Sequence, residues 1–328
     1  MTTNTAPAKS ANQCWVCNSE HVRHWKPASL DRPLTPEDLR ITDSRYGLTA
    51  ELWKCESCGF IFADDAAVSD LVELYSQLTD DDYVDSSPAR ALQMRWLMDK
   101  ATSMRPQAAS MLDIGAGTGL LVAEGAARGL RAVGVEPSAS LVACGREQYA
   151  VELLQGTYPH EQLAGQKFDI VFLVDVIEHV SNPVELLQSC ANALNLGGLF
   201  VVVTPDAGSM AARMLKDRWW HYRLAHVGYF DRDSMTAAAR TAGLKPEVFK
   251  RARWFFPLGY VADRLGEYLP LKTLNRLARA TPGVRRLYEM TVPVNPHDSW
   301  VVFMSLDDQT LEDQTLDAQT LDDQSPTS

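Results

Sequence analysis

Long hydrophobic runs are missing from this chain of 328 residues. No stretch reaches the roughly 18 consecutive apolar residues of a bilayer-spanning helix. The N-terminus, Met-Thr-Thr-Asn-Thr-Ala-Pro-Ala-Lys, has no apolar centre of a secretory leader. The expectation is a soluble, cytoplasmic protein. Bases are scarce: 31 Lys and Arg against 42 Asp and Glu leave a formal charge of −11, which disfavours unaided binding to nucleic acid. Cysteine is sparse too. Six thiols in a chain of cytosolic character exclude a disulfide framework and leave reduced or metal-bound cysteines. What is present is 46% hydrophobic residues, enough to fill the core of one large domain with an appendage.

Glycine is ordinary in number but concentrated at one place. Ser110 to Gly119 reads Ser-Met-Leu-Asp-Ile-Gly-Ala-Gly-Thr-Gly, an apolar strand that ends in an acid and passes through a glycine turn into a helix. Gly115, Gly117 and Gly119 let a ligand approach the main chain. The spacing differs from the Gly-x-Gly-x-x-Gly of dinucleotide enzymes. Asp113 repels a pyrophosphate but suits a cation, such as the amino group or sulfonium of S-adenosylmethionine. A second short strand, Arg131-Ala-Val-Gly-Val-Glu136, ends in an acid 21 residues after Gly115. A carboxylate there can take both ribose hydroxyls.

Asp113-Ile-Gly-Ala-Gly-Thr-Gly, Gly134-Val-Glu136-Pro-Ser and Phe168-Asp-Ile-Val-Phe-Leu-Val-Asp-Val-Ile-Glu-His-Val resemble, in order and spacing, the motifs of class I S-adenosylmethionine-dependent methyltransferases. The resemblance covers about residues 70 to 305. It implies an α/β fold with a Rossmann-like, doubly wound, mostly parallel sheet of seven strands in residues 109–305, S-adenosyl-L-methionine as cofactor, and methyl transfer as the activity. It also places Asp175 near the methionine moiety, while position alone puts Gly156 beside the adenine. The alternation of elements supports such a sheet. Helices are expected over 120–129, 138–148, 182–195 and 232–242, the last capped by Asp231, and strands over 151–154, 168–174, 199–206, 246–254 and 299–305. Cys144 and Cys190 fall within helices as small hydrophobes.

Residues 12–62 form the first organised unit, a zinc-ribbon-like module. Cys14-Trp-Val-Cys17 and Cys55-Glu-Ser-Cys58-Gly are two Cys-x2-Cys pairs able to close a tetrahedral zinc site, with the loop from His21 to Leu52 inserted between them. The alternatives are four reduced thiols or a redox pair. A closed four-thiolate site leaves no position for catalysis, so such zinc is structural. Zinc modules also precede the methyltransferase domain in sugar C-methyltransferases, which this arrangement resembles. Residues 67–108 read as a helical lead-in, with Leu71, Leu74, Tyr75 and Leu78 on one face and Leu92, Trp96 and Leu97 on another. By the same resemblance it lids the cofactor, and Tyr75 or Tyr83 covers the methionine end.

The acceptor side is expected where the fourth strand opens into the crevice, at Asp175-Val-Ile-Glu178-His179. Methyl transfer is an in-line displacement that mainly needs alignment, with a base only where the nucleophile must lose a proton. His179 suits that task, and His226 is a second candidate. Ubiquinone-pathway and related small-molecule methyltransferases carry a similar Glu-His step, which implies a base or metal role for Glu178 and His179. The stretch Trp219-Trp220-His221-Tyr222-Arg-Leu-Ala-His226-Val-Gly-Tyr229 gives candidate substrate walls in Trp220, His221 and Tyr229. Packing of these aromatics onto the sheet is the competing reading.

A helical insertion, 255–292, interrupts the last strand pair. Between Lys245 and Met290 ten bases face four acids, with aromatics and leucines interleaved. Such a region can lie on an anionic membrane, or meet a lipid-linked or carrier-bound small-molecule acceptor. An amphipathic cover for the sheet is the alternative. The tail, 306–328, repeats Leu-Asp-Asp-Gln-Thr with a period that fits neither helix nor strand, and is expected to be disordered. Its seven acids leave only −4 on the rest of the chain. Two functions compete: transfer of a methyl group to oxygen or carbon of a metabolite, sugar or lipid-linked intermediate, and a zinc-containing scaffold that keeps the fold without activity.

Overall fold

The computed structural model describes residues 13–30, 32, 35, 38, 47–64, 87–266, 275 and 281–312. Tyr75, Tyr83 and the first part of the expected lead-in lie outside the described residues, as does the tail beyond 312. Three short strands open the chain: β1 (Val22–Lys26), β2 (Leu52–Cys55) and β3 (Ile61–Ala63). The central strands follow: β4 (Ser110–Ile114), β5 (Arg131–Glu136), β6 (Glu152–Gln155), β7 (Phe168–Val174) and β8 (Leu194–Pro205). After β9 (Gly228–Tyr229) come β10 (Leu244–Arg251), β11 (Trp254–Pro257), β12 (Thr291–Val294) and β13 (Ser299–Leu306).

Seven of these form one sheet in the order β10-β13-β8-β7-β4-β5-β6. β4 pairs in parallel with β5 and β7, β5 with β6, and β7 with β8, whereas β13 runs antiparallel to both β8 and β10. All five residues of β4 are buried. A strand covered on both faces must be apolar throughout, so the one acid in it, Asp113, stands out as a cost to the fold. Among the described residues stand the helices α1 (Ser87–Met104), α2 (Leu120–Ala126), α3 (Ala139–Tyr149), α4 (Pro183–Asn192), α5 (Met210–Leu215), α6 (Arg232–Thr241), α7 (Leu258–Gly266) and α8 (Pro282–Glu289), with short 3-10 turns besides, one of them Ile177–His179. α6 starts as expected, with a capping box between Asp231 and Ser234.

Four details differ from the sequence reading. On α1 the buried stripe is Met94, Leu97, Met98 and Ala101, while Leu92 is exposed. The i, i+3, i+4, i+7 spacing of that stripe rotates the face away from Leu92. The insertion is not purely helical. Its two ends pair as β11 and β12, so the helices stand on a two-stranded stalk. The start of the tail belongs to the fold: Leu306 pairs with Leu244 at the end of β13, and Leu311, which opens the second repeat, packs on the core. Lastly, the cysteine unit is not a separate bead. β9, from the loop before α6, adds to it as the fourth strand in the order β1-β2-β3-β9. Phe60 and Phe62 stack at 5.8 Å, and Phe60 meets Phe230 at 4.6 Å. One apolar core therefore runs from Trp15 through these rings to the sheet. No helix among the described residues is long and apolar enough to cross a membrane.

Candidate active site

The glycine turn follows β4 with Gly115, Gly117 and Gly119 all at positive φ. A Cβ on Gly115 would collide with a methyl of Val176, so that position takes no side chain. Glu136, at the end of β5, accepts from Gly117 N at 2.9 Å and Ser138 N at 2.8 Å. Each oxygen keeps a second lone pair, so two ribose hydroxyls still find acceptors there. Gly156 stands at the end of β6 and donates its N–H to Glu136 O at 3.0 Å, which puts it beside the same crevice.

Asp113 is buried and its Oδ1 has no partner among the described residues. Burial first, then the charge of Glu136, pushes its carboxyl up to about 7, against the pull of Arg90. Asp175, at positive φ just beyond β7, is pushed up to about 6 by burial, while Arg90 and His221 draw it down. An orphaned buried carboxyl is a cost that a donating cation removes. The amino group of an S-adenosylmethionine molecule is such a donor, and the donor set fits it. Arg90, on α1, bears on both acids and was not singled out from the sequence. Nothing local marks it, because its acids lie 23 and 85 residues away.

Beyond Asp175, Glu178, His179 and His226 come together, with ligand atoms all within 4.8 Å. Glu178 accepts from Thr204 Oγ1 at 3.0 Å, and its Oε1 is unpartnered among the described residues. Burial and the neighbouring Asp175 hold this carboxyl well above the usual range. His179 Nδ1 bonds Ala225 O at 2.8 Å. The His179 and His226 rings meet edge to face at 4.8 Å. Burial pushes His179 down to about 4 and His226 well below its ordinary value, with the Arg223 charge adding to both. His226 Nδ1 has no partner among the described residues. The set can hold one hydroxyl group or one divalent ion.

Of the expected walls, Tyr229 is buried, with its hydroxyl 3.4 Å from Arg223 O and its ring 6.2 Å from that of His226. Trp220 Nε1 donates to Asp298 Oδ2 at 2.6 Å, and His221 Nε2 lies 3.0 Å from the same oxygen. Asp298 was not foreseen either. It precedes β13 in Asn-Pro-His-Asp, where an acid reads as an ordinary turn residue.

At the other end of the β3 and β9 pairing, Cys14 Sγ lies 3.6 Å from Cys58 Sγ, and Cys17 Sγ 3.6 Å from Cys55 Sγ. All four sulfurs fall within 4.8 Å. A zinc–sulfur bond of about 2.3 Å makes a tetrahedral edge of about 3.8 Å, so the cluster fits one ion.

A family model described as a methyltransferase domain matches residues 88–247. Among curated relatives, a ubiquinone biosynthesis O-methyltransferase of Bradyrhizobium sp. (strain ORS 278) is 37% identical over 122 residues, 36% of this chain and 44% of that one. Another of the same name, from Cereibacter sphaeroides (strain ATCC 17025 / ATH 2.4.3), is 30% identical over 166 residues, 47% of this chain and 67% of that one. The chain thus spans under half the length of the first of these. A solved S-adenosylmethionine-dependent methyltransferase from Archaeoglobus fulgidus is 14% identical, with a TM-score of 0.45 over 69% of this chain and 99% of that one.

Proposed function

Since the chain belongs to the S-adenosylmethionine-dependent methyltransferases, we propose that it methylates a hydroxyl oxygen of a small molecule with a planar ring. The observation that carries this reading is the buried, unpartnered Asp113 Oδ1 beside the glycine turn, with Glu178 and His179 a few residues beyond Asp175 and His226 gathered against them. The cofactor supplies an electrophilic methyl group on a sulfonium centre. Asp113 and Arg90 orient its amino-acid end, and Glu136 holds the ribose. Glu178, His179 and His226 receive the acceptor hydroxyl. Glu178, held toward its neutral form, can donate to the acceptor oxygen, and the imidazoles suit a nucleophile that arrives with a proton. The O-methyltransferase names of the curated relatives support oxygen over carbon.

A second reading, carbon methylation of a sugar, is favoured by one observation, the four-cysteine unit docked beside this cluster. In both readings the cysteines bind one structural zinc. We further propose that the basic insertion rests on an anionic membrane surface, supported by its exposed Tyr260, Leu265, Leu287 and Met290 next to Arg264, Arg285 and Arg286. Mass spectrometry with methyl-labelled cofactor, offered separately to catechols and nucleotide sugars, tests the acceptor. Label in a catechol ether supports the first reading, and label only in sugars replaces it with the second. Metal analysis of the purified protein should find about one zinc per chain.

A further inference from the structure

We propose that the proton of the acceptor hydroxyl goes to His221, and that Asp298 is the positioning residue that makes His221 a base. The inference rests on the reading of this pocket as a site of hydroxyl methylation. In the transfer, the oxygen forms its bond to the methyl carbon as the carbon–sulfur bond breaks. The bonding pair stays on sulfur as a neutral thioether, and the hydroxyl proton moves to the imidazole. The base must therefore become a cation at that moment, and the three imidazoles differ in how they tolerate charge.

His179 and His226 tolerate it poorly. They touch each other edge to face at 4.8 Å, and Arg223 repels a charge on either. Their carboxyl neighbour Glu178 is held toward its neutral form by burial and Asp175. These two imidazoles are therefore poor places for the hydroxyl's proton.

His221 is placed differently. Its Nε2 lies 3.0 Å from Asp298 Oδ2, and the same oxygen takes Trp220 Nε1–H at 2.6 Å. Asp298 is 1% exposed, and although burial alone would raise its carboxyl, the bonds from His221 and Trp220 hold it below the usual range. An ionised, buried carboxylate with two donors on one oxygen fixes the ring plane and stabilises an imidazolium. With the Nε2 proton given to Asp298, Nδ1 carries the basic lone pair. The side chain keeps 20% of its surface open, so a ligand can reach it. Its location fits the chemistry. Asp298 O accepts from Asp206 N at 2.7 Å, which ties the dyad to the end of β8. His221 is close enough to Asp175, at the end of β7, to draw that carboxyl down. The titratable groups around His221 are thus Asp298, Asp175 and His226, whose ring stacks at 6.1 Å.

The test uses the full chain with S-adenosylmethionine, catechol as probe acceptor, and nitrogen-15 NMR of labelled histidine. In the wild-type protein His221 should hold its proton on Nε2, and Asp298→Asn should mix or reverse the tautomer. His221→Gln and Asp298→Asn should each lower kcat about 100-fold or more, with catechol KM and cofactor Kd within about twofold of wild type. Added imidazole should restore part of the turnover of His221→Ala, which a packing role would not allow. The proposal is overturned by an Nδ1–H tautomer in the wild type, or by more than a tenth of wild-type kcat in His221→Gln. Failure of the wild type to methylate catechol sinks the planar-hydroxyl reading alone, and the tautomer then decides for or against the dyad.

Discussion

At the scale of single residues, Asp113 is where folding and binding pull apart. Its carboxyl is buried without a partner for Oδ1, and burial pushes it up to about 7. Such a group weakens the free protein and is satisfied only by a cation that arrives from outside. Asp113→Asn keeps the shape and removes the charge. The variant should melt no lower than wild type, yet lose about 1.5–3 kcal/mol of cofactor affinity, roughly 10- to 150-fold. Titration calorimetry beside a thermal melt reads both, and a variant that binds normally would dismiss Asp113 as the ligand of the amino group. The same carboxyl predicts that binding near pH 6.5 releases protons from Asp113, and that the release fades near pH 8.5, read in buffers of different ionisation enthalpy. Asp113, Gly115 and Glu136 were legible because their meaning is local: strand, acid and glycines are adjacent. Asp298 was not, since its partner His221 lies 77 residues away and only the sheet brings them together.

At the scale of elements, the regular alternation from β4 to α6 was readable because each strand and helix follows its own period. The union of β3 with β9 was not. Two residues of strand carry no periodic signal, and Gly228-Tyr229 pairs with a segment over 160 residues earlier. That joint has consequences. Ala63 N donates to Val227 O at 2.8 Å, and Val227 N donates to Glu178 O at 2.8 Å, so the cysteine unit leans on the acceptor cluster itself. Phe60→Ala would open a cavity at the centre of the joint, at a cost of about 3–5 kcal/mol. Equilibrium denaturation measures that loss, and a cost under about 1 kcal/mol would mean that the unit folds apart from the sheet. Stripping zinc with a strong chelator should likewise lower the melting temperature by at least about 4 °C. The stalked insertion makes a separate prediction. Cosedimentation with phosphatidylglycerol vesicles, but not with phosphatidylcholine alone, is expected from its basic and apolar surface, and Arg285→Glu with Arg286→Glu should release the protein. Equal binding to both lipids would remove charge from the account.

Across the whole molecule, the buried site sets how stability follows pH. Burial raises four carboxyls, Asp113 to about 7, Asp175 to about 6, and Glu136 and Glu178 by direction. Each binds a proton more tightly folded than unfolded, so each makes the fold less stable as pH rises from the ordinary carboxylate value through the raised one. Burial lowers His179 to about 4 and holds His226 well below its ordinary value. These bind protons better when unfolded, so they make the fold more stable as pH rises from the lowered value to about 6.5. Between about pH 4 and 6 the two sets oppose each other and the slope is shallow. Only above about pH 7.5 are the histidines neutral in both states, and there they drop out, while Asp113 still gives up the last of a proton that the fold prefers to keep. The protein without cofactor should therefore lose melting temperature from about pH 7.5 to 8.5, where carboxylates at ordinary values would leave the curve flat. Bound S-adenosylmethionine meets ionised Asp113 with a positive charge, so saturating cofactor should flatten or reverse that decline. Differential scanning fluorimetry across this range, with and without cofactor, decides the matter: a melting temperature that climbs with pH in the free protein would mean that Asp113 is already ionised and partnered, and the central argument for the pocket would go with it.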